Sequence, residues 1–146
     1  MTVEIWTNGG GLPKAFARRA AAMERAGYDG IVVGDTQNIS GDCYVALAVA
    51  STVTERLKLG TGVTNPFTRH PAVTACAIAT LQGESDGRAM LGIGRGDSAL
   101  AYLGYAPASV PVFDMGTTTR QNAPAGEAPR SRAASIRRWS MRSSEA

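Results

Sequence analysis

Apolar residues between positions 1 and 113 fall into short unbroken runs that alternate with stretches of helical spacing. Val3 to Trp6 reads as a first buried strand, and "GIVVGD", beginning at Gly30, reads as a second. Leu57 to Val63 and "RAMLGIG" supply a third and a fourth. Strand starts near Val3, Gly30, Leu57 and Ala89 recur at about thirty residues, the period of a βαβ unit. The runs are continuous rather than alternating, which predicts a parallel sheet covered by helices.

The intervening text carries helix signals. Pro13 suits the first turn of a helix over Lys14 to Ala26, where Phe16, Ala20 and Met23 share one face and Gly27 closes the C-terminus. Asp42 can cap a second helix bearing Tyr44, Leu47, Ala48 and Ser51. A third is expected from about Pro71 to Leu81, and "DSALAYLG" gives a short fourth. Cys43 and Cys76 are expected to pack on helices.

Two architectures fit: an open doubly wound sheet, or part of a (β/α)8 TIM barrel. Asn8, Asp35, Thr64 with Asn65, and Arg95 with Asp97 each follow one of the four strands. Polar groups at every C-terminal strand end are the pattern of a barrel mouth, whereas an open sheet concentrates them at one switch point. The fold class is therefore α/β, a partial TIM barrel of four βα units, about half of the eightfold set that a barrel of about 250 residues contains.

Composition divides the chain. Residues 1–113 hold nine Lys/Arg and nine Asp/Glu, and the +3 net charge arises in residues 114–146, with six Arg and three acids. That segment has no Val, Leu, Phe, Tyr or Lys, too little apolar surface to offset chain entropy, and is expected to be a disordered tail. Its arginines are scattered among Ser, Ala and Pro without aromatic interleaving, which argues against nucleic-acid binding. The abrupt change of text suggests a shifted frame or an early stop. Two cysteines without CxxC spacing suggest neither zinc nor a disulfide scaffold. The N-terminus lacks a signal-peptide layout and no apolar run reaches the roughly 18 residues of a membrane span, so the expectation is a soluble cytoplasmic chain with no membrane partner.

"GIGRGD" misses the dinucleotide fingerprint, because Asp97 stands where the last glycine belongs and a carboxylate repels a pyrophosphate. Asp97 or Ser98 can serve as a helix N-cap, or Asp97 can face a substrate or cofactor. Asp35, directly after "IVVG", can start a loop, or stand at the barrel mouth where its surroundings tune it for proton transfer. His70, the sole histidine, precedes Pro71 at a helix entrance, where capping competes with acid-base work. With one His and no GxSxG elbow, no nucleophile-base pair can be named, which points to chemistry borrowed from a cofactor.

The segments "AGYDGIVVGD", "YVALAVASTVTERLKLGTGVTNPFTRHPAVTACAIATL" and "GRAMLGIGRGDSALAYLG" resemble the N-terminal half of the bacterial luciferase-like monooxygenase superfamily, nearest to its FMN- or deazaflavin-dependent oxidoreductases. The likeness covers about residues 3 to 113. It implies a TIM barrel that takes FMN or the 8-hydroxy-5-deazaflavin coenzyme at the strand C-termini and transfers hydride to or from a small-molecule substrate, with oxygen insertion in monooxygenase members. The family's third strand ends in a bulge with a non-prolyl cis peptide behind the flavin ring, and the matching pair is Gly62-Val63. By the same match Thr61, Thr64 and Asn65 line the flavin pocket, while Asp35 matches the family's acidic or His residue after strand two and Asp97 its strand-four carboxylate, the two catalytic candidates. The family's later strands supply its cofactor-phosphate loops, so the chain is expected to be incomplete, active only with a partner or as a homo-oligomer of half barrels. The alternatives are a catalytically inactive barrel fragment or interaction module, and a small doubly wound binding domain.

Overall fold

The computed structural model describes residues 3–106. The tail expected over residues 114–146 lies outside them. Within them run β1 (Trp6–Gly9), α1 (Pro13–Arg25), β2 (Gly30–Val33), α2 (Cys43–Ser51), β3 (Lys58–Thr64), α3 (Pro71–Glu84), β4 (Ala89–Ile93) and α4 (Asp97–Tyr102). The strands form one sheet in the order β1-β2-β3-β4, every pair parallel.

The sheet has two different faces. Ile31, Val33 and Leu59 point to one side and pack with Phe16, Ala17 and Ala20 of α1, Cys43, Ala46, Leu47 and Ala50 of α2, and Leu81 of α3. This is the core, and α1, α2 and α3 all lie on its side. Leu59 is in register with Ile31, so parallel pairing puts both on that face. The opposite face carries Trp6, Val32, Lys58, Met90 and a set of glycines, and Met90 stays 49% exposed there. Helices on one face, and sequential strand order, are the layout of a barrel wall and not of a doubly wound sheet.

The end of the sheet where β3 and β4 begin is tied by side chains. The Arg88 guanidinium donates to Thr54 Oγ1 and to the carbonyls of Leu57, Thr54 and Ser51, while its Nε donates to Ser85 O. The Glu24 carboxylate accepts the N–H groups of Glu55, Arg56 and Leu57 at 2.6–3.2 Å, fixing the turn that enters β3. Burial works against the Glu24 charge, but these three N–H groups and Arg56 outweigh it and hold its carboxyl below the usual range.

Several boundaries differ from the sequence reading. The first strand begins at Trp6, not Val3, so Asn8 lies inside it rather than after it. Pairing starts where Trp6 meets Gly30, since a Cβ at Gly30 would lie 2.4 Å from the indole. The α2 face buries Ala46 and Ala50, while Ala48 is exposed. Helix α3 runs on to Glu84 and turns Thr74, Ala77, Ile78 and Leu81 inward at helical spacing, which leaves Cys76 outside. Neither Asp97 nor Ser98 caps α4. Gly96 does, in the left-handed region at φ 77°, because a side chain there would strike Asn65.

Candidate functional site at the C-terminal strand ends

Between Thr61 and Thr64 the strand β3 takes three steps while its partner β4, from Leu91 to Ile93, takes two. The extra residue makes a bulge, and Gly62-Val63 within it is a cis peptide. Bulges next to sites re-aim what the strand presents. Here the Val63 side chain is wedged over Gly92 and Gly94, where added Cβ atoms would lie 3.3 and 2.6 Å from it. Gly62 is exposed, while Gly92 and Gly94 are partly covered by that side chain.

Both threonines flanking the bulge spend their hydroxyls on it. Thr61 Oγ1 donates to Gly92 O at 2.8 Å and accepts the Gly92 N–H at 3.0 Å. Thr64 Oγ1 donates to Asp35 Oδ2 at 2.7 Å, and the Thr64 carbonyl accepts the Gly94 N–H at 2.8 Å. Asp35, 4% exposed, also receives Gln37 Nε2 on Oδ1 at 2.8 Å and donates its own N–H to Val63 O at 3.3 Å. Cys43 is buried beside it. Burial first, and the Asp35 carboxylate second, push that thiol well above its ordinary range, so it is a neutral packing group.

Asn65 closes the strand. Its Oδ1 accepts from the Phe67 and Thr68 N–H groups and the Thr68 hydroxyl, an arrangement that turns the chain. Its Nδ2 is buried without a hydrogen-bond partner, the kind of unmet donor that a ligand or water fills. His70 caps α3, with Nδ1 accepting the Ala72 N–H at 3.2 Å. Asp97, exposed on the first turn of α4, pairs with Arg95 Nε at 3.6 Å.

Of the residues expected from sequence, Asp35, Thr61, Gly62, Val63, Thr64 and Asn65 thus come together around one bulge. Asp97 stands apart on the α4 turn. An open groove of about 550 Å³ lies beside the bulge, between the loops that follow β2 and β3. Asp35, Gln37, Asp42, Arg69 and His70 line it. Arg69 was missed by sequence reasoning. Its Nη2 donates to Asp42 Oδ2 at 2.8 Å and its guanidinium sits 4.7 Å above the Tyr44 ring. Asp42 and Arg69 lie far apart in sequence, and the only signal available was that both belong to loops at C-terminal strand ends.

Exposed backbone at Gly62 and the unpartnered Asn65 Nδ2 are the features of this surface suited to a planar isoalloxazine. Comparisons with known proteins bear on the fold that builds this surface. The sequence profile described as luciferase-like monooxygenase matches residues 2–112. A 5,10-methylenetetrahydromethanopterin reductase from Methanolobus tindarius is 45% identical over 84 residues, 58% of this chain and 26% of the relative. The solved coenzyme F420 dependent tetrahydromethanopterin reductase from Methanopyrus kandleri superposes with a TM-score of 0.67 at 34% identity, covering 71% of this chain and 30% of its own. The oxygenating constituent of 3,6-diketocamphane monooxygenase from Pseudomonas putida, solved with FMN, shares the fold with a TM-score of 0.67 at 19% identity. It is covered over 38% of its length. The chain therefore spans about a quarter of the length of the curated relatives it matches. A profile match across the whole described sheet, on a wall of parallel strands that superposes on these barrels, establishes that the chain belongs to the luciferase-like monooxygenase family.

Proposed function

We propose that this chain forms the β1–β4 wall of a flavin- or deazaflavin-dependent oxidoreductase, with the cofactor ring lying on the β3 bulge. The observation that carries this reading is the bulge itself: exposed backbone at Gly62, the Val63 side chain standing 46% exposed beside it, and the unmet Asn65 donor that follows it. The relatives' names favour FMN or the 8-hydroxy-5-deazaflavin coenzyme, which when bound supplies hydride transfer.

In this reading the chain's own residues bind and exclude. Gly62 and Val63 form the surface under the ring, and Val63 keeps water from that side. Asn65 Nδ2 donates to the ring edge. Thr61 and Thr64 line the pocket from beneath through the bulge they hold. Asp97, exposed on the α4 turn beside Arg95, is the carboxylate that a small-molecule substrate can reach for proton exchange. Asp35, buried under the bulge, acts on the site from behind.

Residues 1–113 are read as one unit of this barrel. Its inner face exposes Met90 and Val63, and neither β1 nor β4 has a second strand partner among the described residues. Such edges recruit further strands, and we place a second copy of the chain there. Titrating FMN and the deazaflavin into the purified chain while following flavin fluorescence tests the function. Saturable quenching by one of them is expected, and the absence of binding by both contradicts it.

A further inference from the structure

We infer that Asp35 is a positioning residue that locks the β3 bulge, and not the proton-transfer group that its place after β2 suggests. The inference rests on the flavin reading for its consequence, but its evidence is the hydrogen bonding of the chain alone.

Both oxygens of Asp35 already hold a hydrogen bond within the fold. Oδ2 is taken by the Thr64 hydroxyl at 2.7 Å and Oδ1 by Gln37 Nε2 at 2.8 Å, in a side chain almost wholly removed from solvent. A general acid or base must reach its substrate proton directly or through one water. Those same bonds instead run into the bulge from two directions. The Asp35 N–H takes Val63 O, a carbonyl that the extra residue has pulled out of the regular ladder, and the carboxylate takes Thr64. From the other flank Thr61 grips both backbone groups of Gly92, and Gly94 N–H takes Thr64 O. The bulge is thereby fastened to β2 by Asp35 and to β4 by Thr61. Charge-assisted bonds of this kind are the strong ones, and one that is buried is held in a single geometry. The surface offered to the ring at Gly62 and Val63 is set by this clamp.

The test uses the full chain. Thr64→Val removes the hydroxyl at constant shape, Asp35→Asn removes the charge, and Thr64→Ser restores the hydroxyl. Amide hydrogen exchange followed by NMR should quicken about tenfold or more at Asp35 and Gly94 in Thr64→Val and Asp35→Asn, while Ile31 and Leu59 keep their wild-type rates. Thr64→Ser should return the two amides to wild-type exchange. Where the wild type binds a flavin, its affinity should fall about fivefold or more in Thr64→Val and recover in Thr64→Ser. Unchanged exchange at Asp35 and Gly94 overturns the inference, and so does faster exchange spread evenly over the core. A wild type that binds neither flavin removes the functional reading and leaves the exchange result to decide the role of Asp35.

Discussion

Asp42 does two jobs with one carboxylate. Oδ1 accepts the Tyr44 and Val45 N–H groups at the start of α2, and Oδ2 holds Arg69 over Tyr44. Burial opposes its charge, yet the Val45 N–H, Arg69 and the Tyr44 N–H keep its carboxyl below the ordinary range. Asp42→Ala should therefore cost about 1–2 kcal/mol in urea unfolding, mostly through the lost cap. Asp42→Asn keeps an oxygen for the cap and should cost less. Glu24 gives a pH-dependent counterpart. Its folded carboxyl is held below the usual 4.5, so it contributes stability above that value and loses it as pH falls through the folded pKa. Denaturant midpoints measured from pH 7 down to pH about 3 should fall less steeply in Glu24→Gln than in wild type, and Glu24→Gln should be the less stable at pH 7.

At the scale of elements, the hydrophobic runs foretold the four strands and four helices because each strand must bury one row against a helix, and that demand is written in local sequence. The ends were less legible. Trp6, rather than Val3, opens β1 because the indole needs the gap left by Gly30, twenty-four positions away. Gly96 rather than Asp97 caps α4 because Asn65, from another loop, fills the space. The site shows the same division. The polar strand ends could be read one at a time, but the pairing of Asp35 with Thr64, and of Asp42 with Arg69, joins separate βα units. The bulge was expected through family resemblance and not through periodicity. Its tight packing makes a direct prediction: a Cβ at Gly92 would lie 2.4 Å from Thr61 O, a backbone atom. Gly92→Ala should destabilise the chain by about 1–3 kcal/mol in chemical denaturation.

For the whole molecule, the two faces of the sheet carry different meanings. One is sealed by α1, α2 and α3, and the other leaves Met90 and Val63 open. No helix among the described residues is long and apolar enough to cross a membrane. An open apolar sheet face between two edges that are unpaired among the described residues favours association in water. Sedimentation velocity should detect species larger than the monomer, and Met90→Lys should shift them toward monomer.

Amide chemical-shift mapping during titration with FMN and the deazaflavin tests whether a flavin lies on the β3 bulge. The largest shifts are expected on Gly62, Val63, Gly92 and Gly94, with Asn65 Nδ2 moving alongside them. Shifts centred instead on the groove beside Asp42 and Arg69, or no saturable shift with either compound, would contradict it.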